Sequence, residues 1–567
     1  MKYLMIVSIG PVQEFIATAR RSRDLWYGSW MLSELSKAAA KRIKDPDLAG
    51  ELIFPYPPDE SAFDPGTSFI APNKIVAIVS GDPNTAGNSI RSAVAARLGA
   101  LWSDARSHIR GEINEDLAKR QIDDLLEFYW VSTPYKDNYL EARNTAEYLF
   151  AARKTTRTFK QIDGGVIPKS SLDGARESVI PGSKYPKRND PDADRKITNL
   201  YLQYHARRGE QLSGVDLLKR LGSPDGSPKF KSTSDMAAIP FLEQIKDGKG
   251  MELVKHIRAL LPGDRDTLDD PDEGLVFERR FEDSFPLQQV TEDLRQKYEA
   301  LLKQYSNGLQ PNPYYALLVA DGDNMGVIID AQEGKESHQR LSKMMSEFAS
   351  EVPGIVKTAK GVCIYTGGDD VMAYLPLHTV MECARKLESA FASQMKDFVA
   401  TDDGQQPITA TLSIGIAVVH HLEPLSDALK LVRQAEKEAK SIKGKNGLAV
   451  ILSKRGGADR TIVGKFGALS KRFDALMQFS RDDALSGGAA YELQELHLTL
   501  SQTNVPPEGR AREAIRIMAR KRESGSDKVI DPKLVGEFEK WFKEVPLDEL
   551  AREMIVAKMF AGTEEAK

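Results

Sequence analysis

The stretch from residue 313 onward constrains the fold more than any other part of the chain. Strand-length apolar runs at 314–320, 361–366, 371–375, 408–419 and 447–452 alternate with helical periodicities at 337–351, 380–398 and 424–443. In the last of these, Leu425, Ala428, Leu429 and Val432 share one face. The order βαββαβαβ predicts an α+β domain over 311–455, with a ferredoxin-like sheet and helices packed on one side.

That frame carries a clustered set of acids. Gly367-Gly368-Asp369-Asp370 falls between two predicted strands, where paired glycines supply the positive φ angles of a tight hairpin and hold the acids at its tip. Asp321 ends the strand at 314–320, followed by Gly322 and Asp323. If the strands are neighbours, Asp321, Asp369 and Asp370 meet at one sheet edge. Carboxylates so grouped repel one another unless they hold cations, and oxygen ligands suit Mg²⁺ or Mn²⁺. Two such ions serve nucleotidyl transfer, activating a hydroxyl and neutralising a triphosphate. Lys440, Lys443 and Lys445 close the 424–443 helix, either as point charges for a triphosphate or as the cationic last turn its dipole favours. No phosphate-binding loop of the G-x-x-x-x-G-K-[ST] type occurs.

At 567 residues the chain has room for three to five folded units. The segment 1–160 opens with a strand, a Gly10-Pro11 turn and helical spacing at Val12, Phe15, Ile16 and Ala19. A strand at 71–80 and a helix at 88–110 follow, giving a second α+β unit. Residues 3–11 align with 315–323, placing Ile9 and Pro11 opposite Asp321 and Asp323, so only the later copy has acids for a cation. Residues 161–310 read as a mixed, loop-rich domain with helical patches at 210–221 and 292–304. Residues 456–567 read as an all-helical domain with helices at 465–479, 489–500 and 508–522.

The composition, 41% hydrophobic and 28% charged, is that of a globular protein, with no run long enough to cross a membrane. Cys363 and Cys383 are too few for a disulfide framework or a four-cysteine zinc site, which points to a reducing cytoplasm. The net charge of −4 conceals a basic stretch: residues 151–235 hold 17 Lys or Arg against 10 Asp or Glu, while 261–300 hold 5 against 12. The basic stretch is either a phosphate-contacting surface or an ordinary solvated one paired with the acidic segment. None of the eight histidines is followed by aspartate, and His420-His421, at a strand end, reads as a surface or interface pair rather than a metal site.

Taken together, Ser8 to Ala17, Arg23-Asp-Leu-Trp, Pro72-Asn-Lys, Ser171-Leu-Asp-Gly with Arg176-Glu, Gly209-Glu-Gln-Leu-Ser-Gly, Asp321-Gly-Asp-Asn-Met-Gly and Gly367-Gly-Asp-Asp resemble the large polymerase/cyclase-like subunit of type III-B (Cmr) CRISPR effector complexes. The resemblance implies two palm domains, the first degenerate, within an antiviral ribonucleoprotein that senses target RNA and converts ATP into cyclic oligoadenylate. It implies partners in the other Cmr subunits, the guide crRNA and target RNA, and catalytic, metal-holding roles for Asp321, Asp369 and Asp370. Nucleotide contacts are expected at Gly322, Asp323, Gly367, Gly368, Ser413, Lys440 and Lys445. Ser413 to Ile416 and Ala439-Lys440 also look similar to diguanylate cyclases. Many relatives carry an HD nuclease domain, whereas this sequence opens on the first palm, so no DNase activity is expected. Relatives often show C-x-x-C where Ser170 to Asp173 stands here, so no zinc is expected. A free-standing diguanylate-type cyclase and a non-enzymatic scaffold subunit are the alternatives.

Overall fold

The computed structural model describes the chain except residues 58, 157–164, 225–229, 262–271, 286–289, 403–405, 483, 485–487, 521–531 and 564–567. Two sheets of one design organise it. The first has strands β1 (Lys2–Gly10), β2 (Glu51–Phe54), β3 (Lys74–Ser80) and β4 (Glu127–Tyr135) in the order β2-β3-β1-β4. The second draws on β5 (Tyr314–Asp323), β6 (Val362–Thr366) and β7 (Val371–Leu375). After a separate hairpin of β8 (Val399–Asp402) and β9 (Gln406–Thr409) come β10 (Thr411–His420), β11 (Gly447–Leu452) and β12 (Arg460–Lys465), giving the order β12-β11-β10-β5-β7-β6.

Within it, β10-β5-β7-β6 repeats the arrangement β4-β1-β3-β2, and every one of these pairings is antiparallel. The helices match as well. Gln13–Ala17 and Ser22–Lys44 follow β1 as Met325–Asp330 and Lys335–Thr358 follow β5. Pro83–His108 and Val380–Met395 follow the third strands; Tyr139–Thr155 and Leu425–Ser441 follow the fourth.

The match corrects two expectations. Helices cover both faces of each sheet, not one. Ala316, Leu318 and Ala320 pack in one cluster with helices Lys335–Thr358 and Val380–Met395, while Leu317 and Val319 share a cluster with Leu425, Ala428, Leu429 and Val432. A strand buried on both faces reads as a continuous apolar run, which is what 314–320 is. The second correction concerns register. In the first unit Met5, Val7 and Ile9 face the two crossover helices, but in the second it is Ala316, Leu318 and Ala320. The pairing of Ile9 with Asp321 is therefore one residue out, because a slip of one flips every side chain to the other face. Ser8 or Gly10 stands where Asp321 does, and neither is an acid. The first unit's strand end is instead lined by apolar side chains, Phe15, Met31, Leu32, Leu35 and Leu98 among them.

Between the units the described residues are helical, with an isolated β-bridge, Lys169 to Glu177, in place of the strands a mixed domain would bring. Helix Gly214–Leu221 docks on the first unit through buried ions: Arg220 pairs with Asp24 at 2.9 Å and Glu210 at 2.8 Å. At Ser170 to Asp173 the turn is closed by hydrogen bonds, with Ser170 Oγ accepting from the amides of Leu172 and Asp173 and donating to Asp216. The tail is not all-helical: β12 pairs antiparallel with β11, so the second sheet runs to residue 465. The alternation in Arg460–Lys465 is too short and polar to read as a strand alone. Helices Phe466–Arg481, Ala489–Ser501, Pro507–Arg520, Pro532–Glu544 and Leu547–Ala561 follow; the expected helix to 522 runs past the described residues. Arg157 of the basic stretch also lies outside them.

Candidate active site

The hairpin between β6 and β7 carries the acids, and β7 lies beside β5, so Asp369 and Asp370 come to the end of the strand holding Asp321. Each glycine has a separate reason to be one. A Cβ on Gly367 would lie 1.8 Å from the Tyr365 hydroxyl, Gly368 has φ +93°, and a Cβ on Gly322 would sit 2.8 Å from Cβ of Asp369. Helix Leu425–Ser441 lies so close to the sheet that a Cβ on Gly415 would be 2.2 Å from the Glu436 amide. That close approach brings Glu436 and Lys440 over Asp321.

The electrostatics are those of crowded like charges. Burial and then the Asp321 charge push the Asp369 carboxyl up from 3.8 to about 6. Asp370 is raised further by burial, by Asp369, and by a hydrogen bond with Asp321. Burial and Asp321 also raise Glu436. Lys440 opposes them: its ammonium pairs with Asp321 and lies 3.6 Å from Glu436, and although burial disfavours its charge, these partners hold its pKa above the usual value.

The other expected residues divide. Asp323 is buried at 2% exposure; its Oδ2 accepts from Thr411 (2.8 Å), Ser413 (2.7 Å) and the Asn446 amide (3.0 Å). Its Oδ1 has no hydrogen-bond partner among the described residues. Ser413 is fully buried and also accepts from the Gly447 amide, which places it beneath the acids as a brace. Lys445 donates to the carbonyl of Lys440 at 2.9 Å, so it caps the helix. Lys443 is exposed. Glu436, Tyr365 and Asn446 belong to the site but drew no notice in the sequence. Only Glu436, four residues before Lys440 on one helix face, left a readable signal there.

Among the described residues no group of three or more His, Cys, Asp or Glu is arranged as a metal cage. Asp321 is engaged by Lys440 instead. The donor set is nevertheless hard oxygen, with charges that are costly without a cation and one orphaned buried oxygen on Asp323, and it fits Mg²⁺ or Mn²⁺ once Lys440 releases Asp321. A cavity of about 230 Å³ lies elsewhere, in the first unit beside Glu34, Lys37 and Arg97. No helix among the described residues is long and apolar enough to cross a membrane.

Family models match segments in both units. Residues 314–449 match the family described as Cas10/Cmr2, second palm domain, and residues 4–115 match CRISPR-associated protein Cmr2, N-terminal. The Cmr subunit Cmr2 of Pyrococcus furiosus is 26% identical over 552 residues, which cover 80% of this chain and 62% of that protein. This chain thus spans less than two thirds of its relative's length. The cryo-EM structure of type III-B Cmr-beta in the apo state aligns with TM-score 0.65 at 14% identity over all of this chain and 82% of its counterpart. The same assembly bound to cognate target RNA gives 0.63 at 14% identity, covering 99% and 83%. With both matched segments falling on the two β-sheet units, the chain is similar to Cmr2 subunits of CRISPR systems in each of them.

Proposed function

We propose that this chain is the large subunit of an RNA-guided effector complex in which the second palm unit acts as a nucleotidyltransferase, converting ATP into cyclic oligoadenylate when matched target RNA is bound. One observation carries the catalytic reading. Asp321, Asp369 and Asp370 converge from neighbouring strands, and burial among these acids penalises the charge of Asp369 and Asp370, an arrangement that perturbed functional sites share. The RNA-guided reading is supported by the match of both units to Cmr2 family models and by likeness to an assembly solved with cognate target RNA. Its partners are then the other Cmr subunits, a guide RNA and a target RNA, in the cytoplasm.

Asp321, Asp369 and Asp370 are the residues that would hold Mg²⁺ or Mn²⁺, which when bound supply hydroxyl activation and charge neutralisation on the triphosphate. Lys440, freed from Asp321, offers its ammonium to phosphate oxygens. Gly367 and Gly368 keep the hairpin tip bare, so a nucleotide can approach its backbone. Asp323, tied to Thr411, Ser413 and Asn446, fixes the end of β5, while Lys445 holds the loop after the helix.

One feature favours the scaffold reading: Lys440 already compensates Asp321, as a palm without cations would require. Mass spectrometry of the product made by the assembled complex from ATP, Mg²⁺ and cognate target RNA separates the two. Cyclic oligoadenylate is expected; ATP returned unchanged would favour the scaffold.

A further inference from the structure

The first unit has no acid at the β1 positions that match Asp321, yet it grips the segment directly behind the acids of the second. Arg143, on helix Tyr139–Thr155, is 2% exposed. Its Nη1 donates to the carbonyls of Ile329 and Gln332, both at 2.9 Å, and its Nη2 to that of Asp330 at 3.0 Å. The Ile329 and Asp330 carbonyls end helix Met325–Asp330, the Ile329 carbonyl also accepting from the Gln332 amide at 3.0 Å, and the Gln332 carbonyl lies two residues beyond the helix. The Asp330 carboxylate lies 3.6 Å away, and the Tyr139 ring sits 5.9 Å from the guanidinium.

The helix so held has six residues, only about 9 Å of rise. At its other end Met325 packs against the glycine that gives Asp369 room: a Cβ on Gly322 would be 2.7 Å from Met325 Cγ and 2.8 Å from Asp369 Cβ. A second grip runs in parallel. Tyr139 hydrogen-bonds His338, Gln339 donates to the Leu52 carbonyl, and the Tyr56 amide donates to Ser342, all on helix Lys335–Thr358. One turn further, Met345 Cε lies 3.1 Å from where a Cβ on Gly368 would be. Packed side chains thus connect the first unit to both sides of the hairpin.

We propose that Arg143 is a positioning residue for the acid cluster: by pinning the end of helix Met325–Asp330 it sets, through Met325 and Gly322, where Asp321 stands against Asp369. The catalytic part of this role rests on the function proposed above. The planar fork of arginine meets three carbonyls at once; an ammonium carries the same charge but not the fork.

Hydrogen exchange on the full chain tests this, comparing the parent protein with Arg143→Lys and Arg143→Gln. Exchange at 324–332 should rise about tenfold or more in Arg143→Gln and less in Arg143→Lys, and the rise should carry to the hairpin at 366–371. Amides of 316–320 should keep their protection, which reports an intact sheet, and Arg143→Lys keeps the test open if Arg143→Gln does not fold. ATP turnover should show kcat reduced about tenfold with KM little changed, and partial rescue by lysine. Faster exchange at 324–332 with the hairpin unaltered would overturn the positioning role. Absence of turnover in the parent protein would sink the catalytic reading alone, because the exchange result decides Arg143 independently.

Discussion

Lys440 forms an ion pair with Asp321 at the end of β5, and Glu436, one turn earlier on the lysine's helix, lies 3.6 Å from the same ammonium. A positive side chain thus stands among acids that would otherwise repel one another. Replacing it should expose that repulsion. Lys440→Met should lower the melting temperature by a few degrees in EDTA, and added Mn²⁺ should stabilise the variant more than the parent, since no lysine must be displaced. Equal stabilisation of the two would show that Lys440 and the cation do not compete.

Gly322 is the position where β5 leaves room for Asp369. Gly322→Ala would place a Cβ 2.8 Å from Cβ of Asp369 and 2.7 Å from Met325 Cγ. Such overpacking costs about 1–3 kcal/mol, which expressed at the hairpin would reduce ATP conversion by roughly 5- to 160-fold. Steady-state turnover checks it, and unchanged rates would show that Asp369 is not held where the site needs it.

His338 gives the interface between the two units a pH dependence. Burial, then the charges of Arg143 and Lys74, lower its pKa from 6.5 to about 4, so it is neutral in the folded protein. Between pH 6.5 and 4 the unfolded chain binds the extra proton and the folded one does not. Stability is therefore fully present above 6.5 and falls with pH through that window, by on the order of 3 kcal/mol. Denaturant melts at pH 7.5 and 5 should show about 2 kcal/mol of this loss, and His338→Asn should remove that share of the slope. An identical pH slope in the variant would remove His338 from the account.

Much of the second unit is legible in the sequence because its signals are local. The apolar run before Asp321 and the Gly-Gly turn before Asp369 each report their own geometry, and the strand order brings them together. What escapes notice depends on partners far along the chain. Helix Ser22–Lys44 is buried nearly all round, against helix Pro83–His108, β6 of the second unit and helix Gly214–Leu221, so no amphipathic stripe marks it. Ser413 looks like a ligand residue until its burial against Asp323 is seen. The repeat 3–11 reveals a duplication, but its register becomes clear only once the crossover helices show which face each residue takes.

Arg153, Lys154, Arg207 and Arg208 are exposed on the basic stretch. Charge reversal at these positions should weaken RNA binding by the assembled complex and reduce the slope of log affinity against log salt by about one for each phosphate no longer neutralised. Filter binding across a salt series measures it; unaltered affinity and slope would make this surface an ordinary solvated one.

The most direct test compares ATP conversion by the assembled complex, with and without matched target RNA, for the parent chain and for Asp369→Ala combined with Asp370→Ala. These acids sit on a hairpin outside the apolar clusters of the core, so size-exclusion chromatography should show unimpaired assembly. The parent should convert ATP only when the matched target is present, and the variant in neither condition. Conversion that persists in the assembled variant, or that ignores the target RNA, would contradict the account.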